Sequence, residues 1–564
     1  MRLGGNPQVT EPGAGVARTS TAALFCWLAA ALLWFAPLGY RDLAHPDEGR
    51  YSEISREMLA TGDWVTPRLD GLKYFEKPPL QYWASAAAFA AFGESEFVAR
   101  LFTALSGFLS ALAVWFTARR LWGREVAAYA GITTASMTWM MGVSHVVTLD
   151  MGVTFFLTLA LCAFLLAQDP RAEDTVRRRW MWLVWAAMSG AMLTKGLIGV
   201  LIPGAVLFLY SAICRQWQLW KNMEWLRGGL LFVLLTAPWF VLVSAQNPEF
   251  AHFFFIHEHF ERYLTTEHHR AGAWYYFVPI LVGGLLPWTT LLPQLARFGW
   301  RAGGEARLAN RLLLIWCGFI FLFFSLSGSK LPGYILPMFP ALGLLLGQYL
   351  AQSRPDVLRP HARAMLVLWA VIGIAAPIVM RYIDRGHESA PYNIAAAPWI
   401  SAAAAVYVVG AWISARQAAR QAGLASAIWL GAASLAALQI INAGYQVYSP
   451  LKSARTIAAE AAASIGPDTQ LFVIRSYDQT LPFYLKRTPT PVEFADELTL
   501  GEQIEPERWI SGMAEFRGRW LAARNAVAFT SPETMEELRR DGLPMDVIAV
   551  HSRHAAFRKP SAQP

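Results

Sequence analysis

The sequence predicts a polytopic α-helical membrane protein of about thirteen spans, with a soluble α/β domain at its C-terminal end. Three observations lead there. Hydrophobic residues fill 55% of the 564 positions, with 24 Trp and 33 Phe, and charged residues only 16%. A soluble globular chain carries roughly 25% charged residues. Apolar runs near the length of a bilayer span recur up to Tyr445, and none remains after it; the final ~120 residues have the size of a domain.

Residues 1–21 are polar and contain Gly and Pro, which suits a cytoplasmic tail. The transmembrane region occupies 22–445. Its apolar runs lie at 22–40, 97–118, 126–144, 150–168, 180–196, 197–213, 228–245, 274–294, 310–326, 332–350, 364–381, 396–415 and 424–444. The first could pass for a cleavable signal segment, but many similar runs follow it, and it reads as an uncleaved span. A further run, Pro79 to Phe92, is too short to span comfortably and opens on Pro78-Pro79. It reads as an interfacial or re-entrant helix.

Loop charge tests that choice. With Pro79–Phe92 left out and the N-terminus inside, the loops carrying Arg119, Arg120 and Arg124, Arg171 and Arg177 to Arg179, Arg215 to Arg227, Arg297 to Arg311, Arg354 to Arg363, and Arg416 to Arg420 all face the cytoplasm. Segments 41–96, 145–149, 246–273, 327–331 and 382–395, and the domain at 446–564, then face the other side. The formal charge of +8 is accounted for by these orienting loops, with no nucleic-acid partner required. Cys26, Cys162, Cys214 and Cys317 lie inside apolar runs. Disulfides are not expected, and no CxxC or His-x-Cys pattern marks a structural zinc.

The densest chemistry sits in Asp42 to Trp83, directly after the first span. Asp47, Glu48, Arg50, Glu53, Arg56, Glu57, Glu76 and Lys77 crowd there against the bilayer, where charge is costly enough to indicate function. Pro46 suits the first turn of a helix, which places Asp47, Arg50, Tyr51 and Ile54 on one face. The ordinary alternative is that Asp47 and Glu48 only complement the positive end of that helix. The same side of the membrane holds His145 and Asp150, the stretch with His257, Glu258, His259, Arg262, His268, His269 and Arg270, and SGSKLPGY with Lys330 and Tyr334. Taken singly, Lys330 and Arg270 suit snorkelling, His257 and His259 suit a surface, and Asp150 suits a helix start. Their convergence on one face argues for a site.

No GxxxxGK[ST] signature is present, so a donor used here must arrive already activated. Transfer from a lipid phosphate needs cations for the leaving phosphate and a carboxylate that orients or deprotonates the acceptor. In the C-terminal domain, Thr456–Ile465 reads as a helix, Leu471–Ile474 as a short apolar run, Leu481–Leu485 as a helix and Val547–Val550 as a late strand.

The DE pair after the first span, the YFEKPPLQYW segment, Asp150 and the HFERYLTTEHHRAGAWYY loop together resemble membrane glycosyltransferases that use polyprenyl-phosphate sugars. These have the GT-C fold of protein O-mannosyltransferases, and the nearest likeness is to bacterial aminoarabinose transferases acting on lipid A. The resemblance implies transfer of 4-amino-4-deoxy-L-arabinose from undecaprenyl phosphate to a lipid A phosphate, at the periplasmic face of the inner membrane. It implies Asp47 and Asp150 as catalytic carboxylates, with Glu48 beside them. Lys77, Tyr334, Lys330 and either Arg262 or Arg270 would hold the donor phosphate. Arg50, Tyr51 and Tyr74 would line the substrate cavity, with Asp150 reaching the site through Arg50 or Tyr51. Glu76 and His257 form a candidate pair for a divalent ion, a carboxylate and an imidazole being suited to one; no cofactor is otherwise required. Two other readings remain: the same chemistry with another sugar and a protein or glycolipid acceptor, and a transporter of lipid-linked sugar. A transporter favours mid-membrane polar residues and inverted repeats, whereas here charge gathers at span ends.

Overall fold

The computed structural model describes residues 25, 27–256, 272–301, 303, 306–494 and 496–560. Among these, eight helices are long and apolar enough to cross a membrane: Glu96–Trp122, Leu149–Ala167, Trp225–Gln246, Ala306–Leu326, Pro332–Gln352, Leu358–Val379, Ala390–Ala419 and Gly423–Lys452. A bent pair, Phe277–Gly284 and Thr289–Arg301, meets at 110° and makes up to nine. The other apolar runs are helical but fall short of that criterion. Trp27–Gly39 and Ile198–Cys214 are short. The run at 126–144 is split into Arg124–Ser136 and Thr138–Ser144 by Met137, whose extended backbone (φ −64°, ψ 129°) interrupts the helix. Asp174–Lys195 opens on a charged first turn. The bundle core runs through Leu157, Leu161, Val184, Ile202, Leu313 and Leu345, all buried.

Helix Asp47–Thr61 begins directly after Pro46 and ends at Gly62, whose left-handed backbone (φ 73°) lets its N–H reach Met58 O. It buries Glu48, Glu53, Arg56 and Glu57 together with Tyr51, Ile54 and Met58, because it is enclosed on two sides. One side meets helix Leu80–Phe92, thirteen residues long and closed by Gly93, through Tyr51, Tyr82, Ala86 and Phe89. This helix is the Pro79–Phe92 segment, and it is not among the spans. Between the two helices, strands β1 (Arg68–Leu69) and β2 (Leu72–Lys73) form a small antiparallel hairpin. Its turn residues Asp70 and Gly71 both have positive φ, 56° and 79°, as a tight primed turn demands.

The other side of the Asp47–Thr61 helix meets the C-terminal domain. There β3 (Gln470–Ile474), β4 (Thr490–Val492), β5 (Ala526–Thr530), β6 (Asp546–Val550) and β7 (Ala555–Arg558) form one sheet in the order β4-β3-β5-β7-β6. β3 runs parallel to β4 and β5, and β7 runs antiparallel to β5 and β6. Alternation along β3 serves both faces. Phe472 and Ile474 pack with Phe516 and Trp520, while Leu471 and Val473 pack with Ile457 and Phe529. The apolar run at Leu471–Ile474, the helix at Leu481–Leu485 and the strand at Val547–Val550 all have their counterparts in these elements.

The domain is tied to the first loop at many points. The Gly49 Cα lies against the Gln479–Thr480 backbone with no room for a Cβ. Leu43 N–H donates to Tyr484 Oη at 2.8 Å, Arg68 Nη1 to Glu505 Oε2 at 2.9 Å, and Arg455 Nη1 to Asp42 Oδ1 at 2.6 Å.

Candidate active site where the bundle meets the first loop

Asp47 stands in the first turn of its helix with its side chain 45% exposed, while the groups behind it are buried. Arg50, one turn on, donates from Nη1 to Asp47 Oδ1 at 3.0 Å. Its Nη2 pairs with Glu497 of the C-terminal domain, and the Glu497 side chain is 9% exposed. Gln479 Nε2 donates to Glu497 Oε1 at 2.6 Å. The Arg50 guanidinium also lies 5.8 Å from the centre of the Tyr51 ring. Burial would lower the Arg50 pKa, but Tyr74, Glu497, Tyr51 and Asp47 hold it well above its ordinary value, so the cation is permanent. Tyr51 and Tyr74 are pushed upward, first by burial and then by Asp47 and Glu76 respectively. Both remain neutral phenols able to donate, and the Tyr74 hydroxyl is buried without a hydrogen-bond partner. Asp47, Arg50, Tyr51, Tyr74 and Glu76 are therefore neighbours, with Glu497 beside them.

Glu48, grouped with Asp47 at the sequence level, has a different situation and needs correcting. It is 1% exposed. Arg41 donates to it from Nη1 and Nη2 at 2.7 and 3.0 Å, and Arg100 from Nε and Nη2 at 2.7 and 3.0 Å. Ala44 N–H adds a bond of 2.9 Å. Burial alone would raise its pKa, but Arg100 and then Arg41 hold it far below the usual carboxylate range. Both arginines also donate to backbone carbonyls, Arg41 to His145 O and Arg100 to Leu38, Arg41 and Asp42 O. Glu48 is thus a lock joining the first loop to two helices; its acceptor capacity is taken up, and it has no access to a substrate. His145 is likewise a satisfied core residue, with Nδ1 2.8 Å from Met141 O and Nε2 2.9 Å from Gln439 Nε2, which can donate to it.

Asp150 sits in the first turn of Leu149–Ala167 and pairs with Lys195, the last residue of Asp174–Lys195. The expectation that it would act through Arg50 or Tyr51 is corrected: its described ion-pair partner is Lys195. The Lys195 ammonium lies 5.0 Å from the centre of the Tyr334 ring, and a Cβ on Gly333 would collide with the Asp150 carboxylate. The SGSKLPGY loop is therefore packed directly on this ion pair. Leu149, next to Asp150, belongs to the same buried cluster as Tyr51, Tyr74 and Tyr82, so the start of this helix packs with the first loop. Lys330 is buried instead, its Nζ donating to Ser327 O at 2.6 Å, beside Gly272.

Lys77 Nζ donates to its neighbour Glu76 O at 2.7 Å and lies 3.8 Å from the Glu76 carboxylate. Arg262, Arg270 and His257 lie outside the described residues, as do the other positions of 257–271. Among the described residues no group of three or more His, Cys, Asp or Glu side chains is arranged to hold a metal ion.

Comparison with known proteins places this arrangement. Residues 457–559 match the aminoarabinose transferase C-terminal domain, and residues 19–254 match the dolichyl-phosphate-mannose-protein mannosyltransferase family. An undecaprenyl phosphate-alpha-4-amino-4-deoxy-L-arabinose arabinosyl transferase of Pseudomonas aeruginosa is 33% identical over 409 residues, 71% of each chain. Its counterpart in Erwinia tasmaniensis is 36% identical over 369 residues, which span 64% of this chain and 65% of that protein. The crystal structure of ArnT from Cupriavidus metallidurans bound to undecaprenyl phosphate superimposes with a TM-score of 0.92 at 36% identity, over 97% of this chain and 99% of that one. The chain belongs to the aminoarabinose transferase family. This transferase is therefore a membrane glycosyltransferase of GT-C fold.

Two residues near the transferase site, and the two arginines of the Glu48 lock, escaped the sequence reading. Lys195 sits at the junction of two apolar runs, on the side that loop charge assigns to the site; its position carried the signal, but a turn of so few residues was not read as a loop. Glu497 lies in a stretch with no motif. Arg41 and Arg100, flanking the first loop, give no sign in the sequence that they meet on Glu48.

Proposed function

We propose that the chain transfers 4-amino-4-deoxy-L-arabinose from undecaprenyl phosphate to a phosphate of lipid A, at the periplasmic face of the bacterial inner membrane. The observation that carries this is the near-complete superposition on a relative bound to undecaprenyl phosphate, with carboxylates and cations gathered where the bundle meets the first loop. The periplasmic orientation rests on the arginine-rich loops, which lie at the opposite ends of the spans from the site.

In this reading a lipid A phosphate oxygen attacks the anomeric carbon as the bond from that carbon to the donor phosphate oxygen breaks. The electron pair leaves with undecaprenyl phosphate, which departs as a phosphate monoester and needs no proton from a general acid. Lys77, Lys195 and Tyr334, joined by Arg262 or Arg270, stabilise the growing charge on that phosphate. Asp150 holds the Lys195 ammonium in place. Asp47 orients the acceptor, which is already an anion and does not have to be deprotonated. A single displacement of this kind inverts the anomeric centre. Glu76 with His257 is the pair suited to a divalent ion; activity that survives exhaustive chelation removes that assignment.

The direct test is incubation of the purified protein with labelled donor and candidate acceptors. Transfer to lipid A supports the proposal, transfer to peptide replaces the acceptor, and donor movement across vesicles without transfer makes the chain a transporter. In cells, a cationic sugar on lipid A offsets phosphate charge, so expression in a strain lacking its own transferase should raise polymyxin resistance. Asp47→Asn should retain measurable turnover with a phosphate acceptor and lose it with a hydroxyl acceptor, which requires a true base.

A further inference from the structure

We infer that Glu497 of the C-terminal domain is a positioning residue for the transfer reaction: through Arg50 it sets the direction of the Asp47 carboxylate. The inference rests on the proposed transfer, in which Asp47 orients the acceptor.

The geometry is a line of contacts that begins in one domain and ends in the other. Gln479 Nε2 fixes Glu497 Oε1 at 2.6 Å. The other Glu497 oxygen forms an ion pair with Arg50 Nη2, without hydrogen-bond geometry, and Arg50 Nη1 donates to Asp47 Oδ1 at 3.0 Å. The guanidinium is planar and rigid, so fixing one Nη fixes the direction in which the other points. Arg50 Nε is buried with no hydrogen-bond partner, so this edge of the group adds no anchor of its own. Exposure rises along the line, from 9% for the Glu497 side chain and 13% for Arg50 to 45% for Asp47. The buried end is thus held by the C-terminal domain, and the open end faces the substrate side. The backbone is held as well, because Gly49 abuts the Gln479–Thr480 peptide too closely for any side chain. Helix and domain therefore cannot slide past each other without moving Arg50. Without Glu497 the guanidinium keeps its bond to Asp47 but loses its tie to the C-terminal domain, and with it the direction that tie imposes.

Displacement of a positioning group by about 1 Å costs up to about a hundredfold in rate. The experiment uses the full-length purified chain with labelled undecaprenyl-phosphate aminoarabinose and lipid A, and measures kcat and KM for both substrates. Glu497→Gln, which keeps the shape and removes the charge, should lower kcat about ten- to hundredfold with KM for the donor within about twofold. Glu497→Asp should restore part of the loss. In an Asp47→Asn background, Glu497→Gln should change kcat by less than about twofold, because residues acting as a unit are not additive. Glu505→Gln, at the same interface but bonded to Arg68 and the Lys73 N–H, separates docking from positioning: it should lower the melting temperature and leave kcat near wild type. An equal fold loss from Glu497→Gln in both backgrounds, or a loss that follows the melting temperature across both interface variants, overturns the assignment. No transfer by the wild-type chain overturns the proposed reaction and this inference with it.

Discussion

Glu48→Gln removes the one carboxylate between Arg41 and Arg100 and leaves two buried guanidinium groups facing each other. Breaking a buried ion pair by deleting one partner costs about 3–5 kcal/mol. The variant should therefore lose that much stability in detergent-solubilised thermal or denaturant unfolding, and wild-type-like unfolding would show that the lock contributes little. Lys195→Ala should act differently. It leaves the fold in place but removes a cation from the proposed donor phosphate site, and the expected loss in kcat/KM is about a hundredfold or more, measured with labelled donor. Lys195→Arg should recover part of it. At this scale Asp47 was legible because a helix start, an exposed carboxylate and a membrane boundary coincide in one short stretch. Glu48, its neighbour, was not. The chemistry of a carboxylate follows from what surrounds it, and its two arginines come from positions 7 and 52 residues away.

Two close approaches between elements can be tested by adding one methyl group. At Gly49 a Cβ would strike the Gln479–Thr480 backbone, which cannot move as a flexible side chain can. Gly49→Ala should cost about 1–3 kcal/mol of stability by overpacking and should make the linker near the domain boundary more sensitive to protease. At Gly333 the obstacle is the Asp150 carboxylate. Gly333→Ala should therefore disturb the Asp150–Lys195 pair and lower turnover about tenfold or more, with little change in melting temperature; unchanged turnover would mean the pair tolerates displacement. Elements were the most legible level of this chain, because a run of apolar residues reports a helix almost directly. What the runs did not report was where a helix breaks. Met137 lies inside an apolar stretch whose composition gives no warning, while the bend at Leu286-Pro287 does carry a helix-breaking proline, inside a run whose apolar length alone reads as continuous. The sheet of the C-terminal domain was legible only in pieces, since strand order depends on pairings between distant segments.

The assembled molecule carries a buried acidic knot where the first loop, its hairpin and the C-terminal domain meet. Glu53 and Arg56 are paired, Glu57 accepts from Gly71 N–H at 2.9 Å, and both Asp70 oxygens are buried without hydrogen-bond partners. Burial, and then the Glu53 charge, push Glu57 up to about 8 from an ordinary 4.5. A carboxyl raised in this way binds a proton more tightly folded than unfolded, so its contribution to stability is complete below about 4.5 and is lost as pH rises through about 8. The melting temperature should therefore fall between pH 5 and 9. Glu57→Gln should flatten that fall and exceed wild type by a few degrees at pH 9; parallel curves would show that Glu57 does not titrate there.

Such long-range ties also bear on how the protein is made. Arg68 and Glu505 meet across 437 positions of chain, and Arg50 waits for a partner more distant still. A ribosome that has threaded every helix into the bilayer has still not produced a working enzyme. Until the last stretch has been synthesised and has docked, the first loop keeps charged groups without their mates. Truncated products should accordingly be inert and conspicuous to membrane proteases, so that competence is withheld until synthesis is finished.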